Sequence, residues 1–169
     1  MTTLSRRDAG LVLIVGAWLH AACGRGASPS TPAAPSTPAP AATAVVAVTF
    51  SENPVPFRST GCSFSTPQGW FTDARIQETA GVAVTVTTLL QKLDGSPSSL
   101  LSESFNSRFG ACAGSTFTPG SIPASGAVCG TVGVCATGPY STYQFSIAGT
   151  DANGHSINVD SPILRFSPP

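Results

Sequence analysis

Trp70-Phe71-Thr72-Asp73-Ala74-Arg75-Ile76-Gln77 and, after a break at Glu78–Gly81, Val82-Ala83-Val84-Thr85-Val86-Thr87 decide the fold. In the first run Trp70, Thr72, Ala74 and Ile76 share one phase, and Phe71, Asp73, Arg75 and Gln77 the other. In the second, Val82, Val84 and Val86 alternate with Ala83, Thr85 and Thr87, and the run continues to Leu93. Successive side chains of a strand point to opposite faces, so this period of two predicts strands with one packed side. Tyr143, Phe145 and Ile147 repeat the pattern against Gln144 and Ser146, as do Ile157 and Val159 against Asn158 and Asp160. Val45–Phe50 is a shorter β-branched run, and Ile163–Phe166 follows Pro162. The alternation places Ile76, Val84, Val86, Phe145 and Ile147 in the core.

Turn signals punctuate these runs at Ser51-Glu52-Asn53-Pro54, Glu78–Gly81 and Asp94-Gly95-Ser96-Pro97. Asp151-Ala152-Asn153-Gly154-His155 holds an Asn-Gly pair between two strand patterns, a strong hairpin signal. The one helical candidate, Ser98–Phe109, has broken periodicity and predicts no more than a short turn of helix. No repeat of 20–50 residues is visible, which excludes solenoids and propellers. About seven short strands over residues 45–169 suit one antiparallel β-sandwich domain.

Composition limits the partners. Charged residues make up 9% of the chain, against a usual quarter or so. Beyond Cys23, six Lys/Arg face seven Asp/Glu, so no basic field is available for nucleic acid. Apolar residues, at 41%, are ample for a core.

The N-terminus is an address. Arg6 and Arg7 precede a short apolar stretch, Ala9–Leu19, and Ala21-Ala22-Cys23 ends it. A positive segment, a short apolar segment and small residues read as an export signal over 1–22. The apolar stretch is shorter than the roughly 20 residues a membrane-spanning helix needs. Ser5-Arg6-Arg7 resembles the start of a twin-arginine signal, although Asp8-Ala9-Gly10 does not continue it. Leu19-His20-Ala21-Ala22-Cys23 resembles the bacterial lipoprotein cleavage site, with His20 standing where that pattern has Leu. The resemblance implies that Cys23 becomes the lipidated first residue and ties the chain to a membrane. The alternative is a secreted or periplasmic chain without lipid.

Residues 23–44 carry five prolines among Ala, Ser and Thr, and Arg25 as the only charge. Such a stretch builds no core and favours extended conformations. At about 3.1 Å per residue it acts as a spacer on the order of 60 Å long.

Five cysteines are present. With Cys23 lipidated, Cys62, Cys112, Cys129 and Cys135 form an even set, which in an exported chain implies two disulfides. Four cysteines allow three pairings. The preferred one joins Cys129 to Cys135 around Gly130–Val134, and Cys62 to Cys112. Zinc is disfavoured, because the spacings are long and His155 is the one histidine beyond Cys23.

No constellation points to catalysis. His155 lies in a predicted hairpin turn, and no Gly-x-Ser-x-Gly elbow sets a nucleophile. Asp73, Glu78, Asp151 and Asp160 read as solvated strand-face or turn residues rather than a catalytic pair. Gly110–Gly114 and Cys129–Gly133 read as loop glycines without the lysine of a phosphate-binding loop. Asp151–Gly154 lacks the downstream acidic ligands of a calcium loop. The expectation is therefore no catalytic residue, no cofactor and no metal. Trp70, Phe71, Phe105, Phe109, Phe117 and Tyr140 either fill the core or form an exposed platform, and the core reading is preferred. Gly95–Tyr140 exceeds ordinary loop lengths and is the place to look for recognition.

Val48–Pro54 as a first strand, Glu78–Val84 as a strand corner and Gly149–His155 as a last hairpin resemble bacterial immunoglobulin-like domains. The resemblance covers most of residues 45–169 and implies a scaffold rather than an activity. Trp70 lies only eight residues after Cys62, so the Trp-and-disulfide arrangement of antibody domains is not reproduced. The expected function is a non-catalytic, lipid-anchored module of a bacterial cell envelope, with a protein or glycan ligand at the surface. The alternative is a small secreted or periplasmic hydrolase or carbohydrate-binding unit.

Overall fold

The structure, a computed structural model, describes residues 39–62, 66–101 and 103–169. The expected signal over 1–22, Cys23 and the Pro-rich stretch as far as residue 38 lie outside the described residues. The described residues are all-β, with antiparallel ladders between their strands.

One sheet has the order β1-β2-β7-β5, with β1 at Val46–Phe50, β2 at Trp70–Glu78, β7 at Ala127–Val134 and β5 at Phe109–Ala111. The other is built on the long ladder of β3 (Val84–Leu93) with β8 (Thr142–Asp151). On β8 lie β9 (Ser156–Asp160) and β10 (Leu164–Arg165). On β3 lie β4 (Ser96–Pro97) and β6 (Ser121–Ile122). Seven of these strands are three residues or longer, and β4, β6 and β10 are two-residue pairings. A 3₁₀ turn at Ser99–Leu101 and one turn of α-helix, α1 (Phe105–Arg108), complete the elements. Ser104 caps α1, its hydroxyl accepting from the Ser107 N–H.

The inward faces of the two sheets meet in one core, which fits a β-sandwich. Phe50 of β1 and Phe109 of β5 pack on Phe145 of β8, with ring centroids 6.2 and 5.7 Å away. Ile76, Val84, Val86, Phe145 and Ile147 are all buried, as the alternation predicts. Trp70 is buried too, stacked on Phe166 at 5.2 Å and donating its indole N–H to the Ser167 carbonyl at 2.7 Å.

Three expectations need correction. First, the Cys129–Gly133 and Gly110–Gly114 stretches are not simply loops: β7 lies inside its sheet, and β5 pairs with it. The β7 glycines permit close packing. A Cβ at Gly133, where φ is 135°, would stand 2.0 Å from the Trp70 carbonyl oxygen, and one at Gly130 equally near that of Arg108.

Second, the disulfides are Cys62–Cys135 and Cys112–Cys129. The expected Cys129–Cys135 bridge fails because the residues between them run as an extended strand. Six residues at about 3.3 Å each separate the two by roughly 20 Å, far beyond disulfide reach. Third, Gly95–Tyr140 is not one long loop but holds four strands and both helical turns. Two disulfides suggest an oxidising, extracytoplasmic compartment.

Candidate functional site

Three places concentrate polar chemistry. The first is the corner that follows β2. Glu78 shares the phase of Trp70 and Ile76, so the pleat points it inward, and it is completely buried. Its Oε1 accepts from the N–H groups of Val45 (3.2 Å) and Ala80 (2.7 Å). Its Oε2 accepts from Gly81 (2.9 Å), Val82 (3.1 Å) and Ser125 (2.9 Å). Burial pushes the carboxyl pKa up, but the backbone donors outweigh it and hold the group below its ordinary range. Glu78 is thus ionised and spent on backbone, tying the start of β1, the β2–β3 turn and the turn before β7 together. Reading it as a solvated residue missed this, although its phase in the strand carries the signal.

The second place is the β8–β9 hairpin. Asp151 is also buried. Its Oδ1 accepts from the N–H groups of Asn153 and His155, both at 2.9 Å, an Asx-type turn. Its Oδ2 accepts from the Ala44 N–H at 3.1 Å and meets His155 Nδ1 at 3.0 Å. Burial raises the Asp151 pKa, and these partners more than reverse that, holding it at about 2. The Thr43 hydroxyl approaches His155 at the same nitrogen, Nδ1, at 3.5 Å. A Ser-His-Asp relay needs acid and nucleophile on opposite ring nitrogens, so this trio is not one. Asn153 adds a bond from Nδ2 to the Ala42 carbonyl at 2.6 Å. The hairpin therefore grips residues 42–44 where the chain enters the domain.

The third place is the outer face of the four-stranded sheet. A depression of about 490 Å³ is lined by Thr49, Ser51, Asp73, Arg75, Cys129 and Thr131, among others. A second, about 280 Å³, shares Ser51, Asp73 and Thr131 and adds Glu52, Arg58 and Phe71. Arg58 lies over the Phe71 ring, 5.4 Å from its centroid, and pairs with Glu52 at 2.7 Å. Arg108 donates from Nη1 to the Thr131 carbonyl at 3.3 Å and pairs with Glu103 at 2.9 Å. Thr131 in turn donates to Asp73 at 3.1 Å. The Ser51 hydroxyl meets the Thr72 hydroxyl at 2.8 Å and accepts from the Asp73 N–H at 3.3 Å. Hydroxyls, guanidiniums, the carboxylates of Asp73 and Glu52 and a half-buried ring give this shallow face groups for hydrogen bonding and stacking.

The aromatic residues divide. Trp70, Phe105 and Phe109 are core, Phe117 and Tyr140 pack partly against it, and Phe71 sits on the outer face. Among the described residues no three His, Cys, Asp or Glu side chains converge as metal ligands. Compared with known protein families, curated proteins and solved structures, the chain has no match.

Proposed function

We propose that this protein is a non-catalytic lipoprotein of a bacterial cell envelope that presents an immunoglobulin-like module for surface interaction or envelope structure. The observation that carries the module is strand order. Immunoglobulin sheets read A-B-E-D and C-F-G, and β1-β2-β7-β5 beside β3-β8-β9/β10 follows that order. The chain beyond the first strand also reaches the other sheet. After β1 the chain passes Pro54, and Val55 bridges Phe166 beside β10.

The anchor rests on the sequence reading of Ala21-Ala22-Cys23 and the proline-rich spacer behind it. The non-catalytic reading rests on how the acids are used. Among the described residues the two buried carboxylates, Glu78 and Asp151, are committed to backbone N–H groups and to His155, which leaves them no part in hydrolysis.

Mass spectrometry of the mature chain from membranes tests the anchor. It should find an acylated N-terminus at Cys23 and no free thiol in the folded domain. Cys23→Ala should move the protein out of the membrane fraction, because stable anchoring needs more than one acyl chain or signal. If parent and variant partition alike, the anchor is wrong.

A further inference from the structure

An edge strand presents unpaired backbone groups, and folds normally blunt such edges with charge, proline, shortness or a cover. Most edges here follow that rule. β4 and β6 are two residues long, with Pro97 in one and Pro123 just after the other. β5 has three residues and runs into the Cys112–Cys129 disulfide. β10 is covered by Val55, which donates its N–H to the Arg165 carbonyl at 2.8 Å. On β9 the register turns the free backbone groups to Ser156, Asn158 and the charged Asp160.

β1 breaks the rule. Val46-Ala47-Val48-Thr49-Phe50 is five residues long, with no charge and no proline. Among the described residues its one ladder is to β2. The bonds Thr79 N–H to Val45 carbonyl and Ser51 N–H to Asp73 carbonyl fix which groups face β2. By the alternation of an antiparallel ladder, the N–H and C=O of Val46, Val48 and Phe50 point to the open side. Val46 and Phe50 are only half-buried, and Val45 is 55% exposed.

We infer that this edge pairs with the β1 edge of a second copy of the chain, antiparallel and centred on Val48. The strand is complementary to itself in that register. Val46 faces Phe50 of the other copy, Ala47 faces Thr49, and Val48 faces Val48. The three residues with free backbone groups fall in the hydrogen-bonded positions, and no like charges meet. Two four-stranded sheets become one, and the half-exposed Val46 and Phe50 cover each other. An isologous contact of this kind closes as a dimer and does not propagate.

Ala47 and Thr49 are exposed, so the test uses them without touching the core. Sedimentation equilibrium of the exported chain carrying Cys23→Ala should give a concentration-dependent dimer. Ala47→Lys with Thr49→Lys sets lysine against lysine twice and should weaken the dimer about tenfold or more. Ala47→Lys with Thr49→Glu sets lysine against glutamate in the same register and should restore it. Near-ultraviolet circular dichroism confirms that each variant is folded. A parent that stays monomeric at every concentration overturns the proposal. So do two folded charge variants that associate equally, because the contact or its register is then elsewhere.

Discussion

Two regions of this sandwich solve one problem by different chemistry. Where the chain enters, Glu78 and Asp151 gather the backbone N–H groups of Val45, Ala80, Gly81, Val82 and Ser125, and of Ala44, Asn153 and His155. At the other end of β2 and β7, Cys62–Cys135 ties the segment before β2 to the residue after β7. Both devices hold irregular backbone against a regular sheet. The first is electrostatic and acts in the folded state. The second is covalent and acts mainly by restricting the unfolded chain. The two devices should therefore fail under different stresses.

The sharpest way to break that contrast is Glu78→Gln. The amide keeps one acceptor oxygen and turns a donor toward N–H groups, so at least two buried N–H groups lose their partner. At roughly 1–3 kcal/mol for each unsatisfied group, plus the lost charge, the fold should weaken by about 5 kcal/mol. Chemical denaturation measures it, and a loss under about 1 kcal/mol would show that the corner is not held by the carboxylate. Next, Cys62→Ala with Cys135→Ala opens a link spanning 73 residues and should cost about 4 kcal/mol in the chain-entropy account. The Cys112–Cys129 link spans 17 residues, and removing it should cost about 3 kcal/mol. The reverse ranking would mean that strain or residual structure governs, not loop length.

The smallest effect is on pH. The folded Asp151 pKa of about 2 lies below its ordinary 3.8. The ionised form is therefore favoured by folding, so its contribution is whole above about pH 4 and lost as pH falls through about 2. Glu78 shifts in the same direction. Asp151→Asn should flatten the acid limb of the stability curve and raise amide exchange at residues 42–45. The disulfide end should show neither change, and an unchanged acid limb would remove Asp151 from the account.

Much of this was readable along the chain. Alternation placed β2, β3, β8 and β9, their buried faces, and the hairpin at Asn153-Gly154. β7 was not readable, because Gly130 and Gly133 look like loop residues until the carbonyls of Arg108 and Trp70 are seen where a side chain would stand. Disulfide pairing escaped for the same reason: with β7 taken as a loop, Cys129 and Cys135 looked like neighbours. The buried acids were half-legible. Glu78 keeps the inward phase of its strand, and Asp151 heads an Asn-Gly turn, yet a charge at such a position reads as solvated. Part of what makes each a buried ion is local, the N–H groups two to four residues on; the rest comes from Val45, Ser125 and Ala44, distant donors that no local pattern records. The outer face with Phe71, Arg58 and Asp73 was legible only as the polar phase of β2.

The placement of the entry point has a mechanical consequence. Residues 42–44 are gripped at one end of the sandwich, and the Cys62–Cys135 staple stands at the other. A pull between a tethered entry and a load held at the far end runs parallel to the strands. The bonds joining β1 to β2 then bear it side by side in shear, instead of peeling one after another. The domain is thereby built to resist tension along its length, in the direction that a tether would apply it.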